Sequence, residues 1–217
     1  MAASLVGMYR VPMPDAENVT GIGGITAIDE MAVLVSQPTR VLTDDPVIGA
    51  AQAAELQKEI EAEIPPAVFG DSVVLGARKS LRESLGEIAI DAEVARSPEA
   101  ISERILVRHT ERKLGQVVVI HMGTNGKIRD DVLRKTLEGL TDRKRIVVVN
   151  VRVPRSWMKP NNKIIAETVL DFPNVRLVDW AVESKGKKKY FSPDGVHLTK
   201  SGAKSFADLI NEAIVAP

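Results

Sequence analysis

The sequence predicts an α/β domain, a three-layer αβα sandwich around a mostly parallel sheet of about five strands. Two observations lead to this class. Short apolar runs alternate with helical patterns from residue 67 to the end of the chain. Two of these runs, 117–120 and 146–149, are continuously apolar, which is typical of strands buried on both faces of a parallel sheet. Residues 67–217 are therefore expected to form one domain.

The elements of this domain follow from the period of the apolar residues. The predicted strands are 67–69, 88–92, 116–122, 146–151 and 175–178. The predicted helices are 73–85, 97–114, 130–140, 161–171 and 199–215. Ligands of open parallel sheets bind at the carboxyl ends of the strands, so the loops at that edge are expected to carry the function.

The segment before the domain has a different character. Residues 1–46 mix Gly, Pro, Thr and Asp with short apolar pieces and predict a linker or a loosely ordered extension. Residues 47–66 are rich in Ala and Glu and predict a leading helix that ends at Pro65 and Pro66.

Composition excludes several classes of function. The 217 residues have zero formal net charge and 4% aromatic side chains, which gives no support to a nucleic-acid partner. Cysteine is absent, so disulfides, thiolate catalysis and cysteine metal sites are excluded. No run approaches the ~18 apolar residues of a membrane span, and the N-terminus lacks the pattern of a signal peptide. The chain is therefore expected to be soluble.

Ser72 is the candidate nucleophile. The triplet Gly70-Asp71-Ser72 ends the first strand and passes into a helical pattern, which places Ser72 beside the partial positive charge of a helix N-terminus. Because Asp and Ser are also common helix caps, the triplet alone indicates a cap more readily than a catalytic residue.

Two further loops supply partners for this serine. After the third strand, Asn125 in the sequence 123–126 could donate to an oxyanion, although Asn-Gly is also a common turn. Before the last helix, Asp194 precedes His197 by three residues. Imidazole titrates near neutrality and suits a general base, and the carboxylate could fix its tautomer. His109 and His121 have no such neighbour and are not expected to act in catalysis.

These blocks, in this order on an alternating α/β chain, resemble those of the SGNH hydrolase superfamily. The segments 151–155, 174–180 and 190–198 are similar to the extracellular catalytic domain of the peptidoglycan O-acetyltransferase A family. The resemblance covers residues 68–214. It implies that Ser72 is the nucleophile, His197 the base and Asp194 its orienting partner.

The resemblance also implies an oxyanion hole and a substrate surface. The oxyanion donors would be the Ser72 backbone N–H, the Asn125 side chain and the N–H of Ala95, which stands where the superfamily usually has glycine. Four further residues are expected to contact substrate: Asp71, Gly123, Arg152 and Arg155. Trp157 follows these arginines, and the same segment is equally consistent with a solvated loop.

The implied function is transfer of an acetyl group through an acyl-serine onto a sugar hydroxyl, the C6 hydroxyl of N-acetylmuramic acid in peptidoglycan. A membrane acyltransferase domain outside this chain would deliver acetyl from a donor that the sequence does not identify, and the domain would be extracytoplasmic. No metal or cofactor is expected. The alternatives are an esterase or carbohydrate deacetylase that uses water, and a non-catalytic glycan-binding module.

Overall fold

The structure, a computed structural model, describes residues 46–216, with side chains from residue 49 onward. Apart from Pro46, the predicted extension over residues 1–46 lies outside the described residues. The strands are β1 (Ala67–Gly70), β2 (Ala89–Ala92), β3 (Val117–His121), β4 (Arg145–Val149) and β5 (Val175–Val178). The longer helices are α1 (Pro46–Glu63), α2 (Ser72–Leu85), α3 (Pro98–Thr110), α4 (Asp130–Glu138), α5 (Met158–Thr168) and α7 (Lys200–Val215). The short α6 spans Trp180–Glu183, and single 3-10 turns span Val169–Asp171 and Lys188–Tyr190.

The five strands form one parallel sheet in the order β2-β1-β3-β4-β5. This confirms the predicted fold class. Because every strand runs in the same direction, the loops that follow β1, β3 and β4 all open at one edge of the sheet.

Helices cover both faces of the sheet, and the strand side chains alternate between them. Val68 and Val119 pack with α2 and α7 on one face. Phe69 and Ile120 pack with α3, α4 and α5 on the other face. These four side chains have no exposed surface, as expected for strands buried on both sides.

Several helix boundaries differ from the sequence prediction by one to four residues, and two of these differences have a local cause. Helix α3 ends at Thr110 instead of residue 114, because Arg112 adopts a left-handed conformation with φ of 56° that breaks the helix. Helix α5 begins at Met158 instead of residue 161, although Pro160 follows. Proline is tolerated in the first turn of a helix, where backbone N–H groups have no intrahelical acceptor.

The leading helix α1 contacts the α/β domain through buried charges. Glu61 and Arg143 are 7% and 6% exposed, and Arg143 Nη2 lies 2.7 Å from Glu61 Oε2. Gln116 also donates a hydrogen bond to Glu61. These contacts lie at the edge where the strands begin, opposite the edge that was expected to carry the function. No helix within residues 46–216 is long and apolar enough to cross a membrane.

Candidate active site

Ser72 is the first residue of α2 and follows a tight turn out of β1. Gly70 makes this turn possible, because a Cβ at its position would lie 2.4 Å from Val74 Cγ2. Asp71 caps the helix: its Oδ1 accepts a hydrogen bond of 2.9 Å from the Val73 N–H. The Ser72 hydroxyl therefore projects from the N-terminus of a 14-residue helix, where the helix dipole favours developing negative charge.

Asp194 and His197 form a compact turn before α7. Asp194 Oδ1 accepts hydrogen bonds from the backbone N–H groups of Val196 and His197, at 2.8 and 3.0 Å. Its Oδ2 lies 2.6 Å from His197 Nδ1. The bond to the His197 ring and the two backbone bonds lower the pKa of Asp194 to about 2. Gly195 has φ of 69°, a left-handed conformation that glycine adopts without strain.

The same imidazole reaches Ser72 with its other nitrogen. His197 Nε2 lies 3.0 Å from Ser72 Oγ. An ionised carboxylate only accepts hydrogen bonds, so His197 carries its proton on Nδ1 and donates it to Asp194. The Nε2 lone pair then faces the serine hydroxyl. Asp194, His197 and Ser72 are thus arranged as a carboxylate, a base and a nucleophile.

The hydrogen-bonded frame of the loop holds this arrangement in place. Phe191 and Leu198 form an antiparallel bridge, and the Ser192 N–H donates to the His197 carbonyl at 2.7 Å. Thr199 then caps α7 by accepting from the Gly202 N–H. The histidine is fixed between a short bridge and the start of a long helix.

The three residues line an open cleft of about 350 Å³. The other lining residues are Thr124, Asn125, Val153, Arg155, Trp157 and Val196. The side chains of His197 and Asp194 are 51% and 48% exposed. Solvent and an extended substrate can therefore both reach the nucleophile.

Asn125 lies in this cleft, and its amide is partly engaged. Its Nδ2 donates to the Arg96 carbonyl at 3.2 Å, which leaves the second N–H of the amide for another acceptor. Arg96 itself is held by Asp91 at 2.7 Å, so the loop that contains Ala95 is tied to the end of β2. Ala95 has φ of 59°, a conformation that usually favours glycine.

Three of the residues expected to contact substrate do not line the cleft. Asp71 has no exposed surface and serves as the cap of α2. Gly123 is buried, and a Cβ there would lie 2.8 Å from Asn161 Nδ2. Arg152 is half-buried with its guanidinium over the Phe191 ring, 5.5 Å from the centroid. Of the four residues, only Arg155 lines the cleft, and the substrate contacts of the other three have no support from this geometry.

Two further features of the structure were not predicted from the sequence. Asn161 organises the loop after β3, because its side chain donates to the carbonyls of Gly123 and Gly126 and accepts from the Ile128 N–H. Each of the other two histidines lies near a carboxylate that is distant from it in the sequence. His109 contacts Asp142 at 3.0 Å, and His121 Nδ1 lies 3.7 Å from Asp71 Oδ1.

The sequence is similar to several peptidoglycan O-acetyltransferases, although no family model matches it. Over 149 residues, 67% of this chain, it is 37% identical to peptidoglycan O-acetyltransferase OatA of Listeria monocytogenes, of which it covers 23%. The putative peptidoglycan O-acetyltransferase YrhL of Bacillus subtilis is 32% identical over 75% of this chain and 26% of its own length. The chain therefore spans about a quarter of the length of these relatives.

Solved structures share the fold. The C-terminal catalytic domain of Streptococcus pneumoniae peptidoglycan O-acetyltransferase A aligns with a TM-score of 0.63 at 24% identity, over 69% of this chain and 92% of that domain. A Clostridium thermocellum family 3 carbohydrate esterase aligns with a TM-score of 0.58 at 18% identity, over 70% of this chain and 95% of that one. The chain thus shares the fold of these two domains, and the relatives that its sequence matches are peptidoglycan O-acetyltransferases.

Proposed function

We propose that the domain is a serine O-acetyltransferase that moves an acetyl group onto a sugar hydroxyl of peptidoglycan. The observation that carries the proposal is the continuous contact from Asp194 through His197 to Ser72, at 2.6 and 3.0 Å. This arrangement activates a serine hydroxyl for attack on an acyl carbon. The names of the sequence relatives supply the substrate class.

In the first step, His197 takes the proton of Ser72 as Oγ attacks the acetyl carbonyl of the donor. The resulting oxyanion is stabilised by the Ser72 backbone N–H, the Asn125 side chain and the Ala95 N–H. The bond to the leaving group then breaks, and the leaving group takes the proton from His197. The products of this step are an acetylated Ser72 and the free leaving group.

In the second step, a sugar hydroxyl replaces the donor. His197 removes the hydroxyl proton, the sugar oxygen attacks the acetyl-serine, and Ser72 leaves with the proton returned by His197. We assign the C6 hydroxyl of N-acetylmuramic acid as acceptor and Arg155 and Trp157 as residues that contact the glycan. Both side chains line the cleft on the side of the loop that follows β4.

The location follows from the same proposal. The domain acts outside the cytoplasm on the glycan strand, and a membrane acyltransferase domain of the same protein supplies the acetyl group.

A second candidate reaction is hydrolysis of the same acyl-serine. The exposure of about half of the His197 side chain favours it, because water can reach the acetyl group without displacing any residue. The two reactions share every step up to the acyl-serine and differ only in the acceptor.

Mass spectrometry distinguishes these reactions. The protein is mixed with an activated acetyl ester, with and without a muramic-acid oligosaccharide, and Ser72→Ala is the control. Acetylated sugar that requires Ser72 supports the transferase. Free acetate without acetylated sugar, again dependent on Ser72, supports the esterase. If neither the protein nor the sugar gains acetyl, the proposed triad is not catalytic and a glycan-binding module is the better description.

A further inference from the structure

A second carboxylate–imidazole pair lies directly behind Ser72 and is sealed from solvent. Asp71 is 0% exposed and His121 is 1% exposed. The pair forms because β1 and β3 are neighbours in register, with Phe69 opposite Ile120, so His121 lies beside Gly70 and close to the next residue, Asp71. His121 Nδ1 lies 3.7 Å from Asp71 Oδ1. The catalytic steps above use neither side chain.

The hydrogen bonds of this pair are incomplete. Asp71 Oδ1 accepts from the Val73 N–H, but Asp71 Oδ2 and His121 Nδ1 are both buried and have no hydrogen-bond partner within residues 46–216. A buried polar group without a partner loses its hydrogen bonds to water and gains none in the protein, which costs stability. The Asp71 carboxylate lies beside the unsatisfied His121 Nδ1 with its Oδ1 3.7 Å away, so the two side chains interact electrostatically without a hydrogen bond.

The surroundings determine the state of the imidazole. Burial lowers the pKa of His121, and the charge of Asp71 opposes this effect only in part. The ring is therefore neutral at physiological pH, and a neutral ring has a single N–H. Placing that N–H on Nδ1 directs it at the Asp71 carboxylate. The edge-to-face contact with Phe206 of α7, at 5.6 Å between centroids, holds the ring in this orientation.

We propose that His121 is a positioning residue of the acyl-transfer site: its Nδ1–H faces the Asp71 carboxylate and keeps it in the rotamer that caps α2. The cap fixes the first turn of the helix, and that turn carries both the Ser72 hydroxyl and the Ser72 backbone N–H. The inference rests on the proposed function, because it assigns His121 to the reaction of Ser72. Neither His121 nor Asp71 reaches the substrate.

The experiment compares two substitutions of His121. His121→Asn keeps an N–H donor close to the position of Nδ1, whereas His121→Leu replaces the ring by an apolar side chain. His109→Leu is the matched control, because it removes the imidazole of another His–Asp pair that lies outside the cleft. The rate of Ser72 acetylation by an activated acetyl ester, kcat and KM per active site, and Tm are measured for each variant.

We expect His121→Leu to lower kcat about tenfold or more with little change in KM, because displacement of a catalytic group by about 1 Å costs up to roughly a hundredfold. His121→Asn should recover most of this loss, and His109→Leu should leave kcat unchanged. Asp71→Asn retains a good cap without a charge. Adding His121→Leu to Asp71→Asn should therefore cause little further loss.

Equal kcat for His121→Leu and the wild type overturns the inference, as does an equal loss in the Leu and Asn variants. A fall in Tm with unchanged kcat assigns His121 a structural role only, which also overturns it. Amide hydrogen exchange at Val73 does not depend on the reaction. Faster exchange in His121→Leu but not in His121→Asn supports the inference, and equal exchange in all variants contradicts it. If the wild type itself is not acetylated, the proposed function is wrong. The exchange at Val73 then still shows whether His121 holds the Asp71 cap.

Discussion

Asp194 contacts His197 on the side of the imidazole that faces away from Ser72, with Oδ2 2.6 Å from Nδ1. The same carboxylate accepts two backbone N–H groups of its own loop through Oδ1. Its orientation is therefore fixed by three hydrogen bonds from residues within three positions in the chain. This local construction explains how a half-exposed carboxylate can still hold a histidine in one tautomer.

Replacing Asp194 with Asn should reverse that tautomer. The Asn amide can donate to Nδ1, which puts the ring proton on Nε2 and removes the lone pair that faces Ser72. We expect Asp194→Asn to lower kcat by about a thousandfold or more, with the fold intact. Ester turnover and circular dichroism test this together. Asp179→Asn, which changes a carboxylate outside the cleft, is the control, and a loss of kcat below tenfold in Asp194→Asn would argue against the assigned role.

The pH dependence of the reaction should show that protonation of the Asp194 carboxylate does not limit activity near neutral pH. Hydrogen bonds lower the pKa of Asp194 to about 2, so this group stays ionised throughout the range from pH 4 upward. Any fall in activity on acidification to about pH 4 should therefore come from a group other than Asp194. The measurement is kcat/KM from pH 3 to 9. A single acid limb with its midpoint below about pH 3 would instead indicate that Asp194 controls the reaction.

The local blocks of the sequence predicted the fold and the edge of the sheet at which Ser72, Asp194 and His197 lie, whereas their roles as a triad were implied by the family resemblance. The turn before Ser72 needs a residue without a Cβ at Gly70 and a helix cap at Asp71. One further turn brings Asp194 and His197 together. The continuous apolar runs likewise predicted the parallel sheet, because burial on both faces excludes polar residues.

Contacts between distant segments could not be predicted in the same way. His109 and Asp142 meet only because α3 and the loop after α4 lie side by side, and no spacing along the chain encodes this contact. Arg152 follows β4 at the expected edge, yet its guanidinium stacks on Phe191 instead of facing the cleft. Position in sequence predicted which edge a residue occupies, but not the direction of its side chain.

The Asn125 side chain should stabilise the transition state more strongly than the bound substrate. Its free N–H is available to an oxyanion, a bond that strengthens as charge develops on the carbonyl oxygen. We expect Asn125→Ala to lower kcat on the order of a hundredfold with KM nearly unchanged. Steady-state kinetics with an activated ester measures both constants. If KM rises and kcat does not fall, Asn125 binds the ground state instead; a lower Tm alone would reflect the lost bond to Arg96.

Substitutions of Ala95 test whether its left-handed backbone conformation is needed for catalysis. Ala95→Gly removes backbone strain of about 1 kcal/mol, but it also gives the unfolded chain more conformational freedom, which costs a similar amount of stability. We therefore expect Tm to change by less than about 2 °C and kcat to stay unchanged. Ala95→Val should lower both Tm and kcat, because a branched side chain tolerates this conformation poorly. Arg112→Val is the control, since it introduces the same strain before β3 and should lower Tm alone. Unchanged kcat in Ala95→Val would remove Ala95 from the oxyanion hole.

Arg143 lies between Glu61 of α1 and Asp142, and Asp142 also contacts His109. These ion pairs should make the stability of the protein fall at acid pH. Partial burial of Asp142 is outweighed by hydrogen bonds from Arg143 and His109, which lower its pKa from 3.8 to about 2. Because the folded-state pKa is the lower one, this carboxylate stabilises the protein above about pH 4, and its contribution disappears as the pH falls towards 2.

Asp142→Asn should therefore lower Tm at pH 6 by about 1–3 °C, a modest effect because the side chain is 53% exposed and its charge is screened by solvent. The difference from the wild type should shrink as the pH approaches 2, where the native carboxyl becomes neutral. Thermal unfolding from pH 2 to 7 measures this, with the exposed Glu138→Gln as control for loss of a carboxylate. A difference that persists undiminished at pH 2 would mean that the ionised form of Asp142 contributes nothing, and that the amide disturbs packing around Arg143.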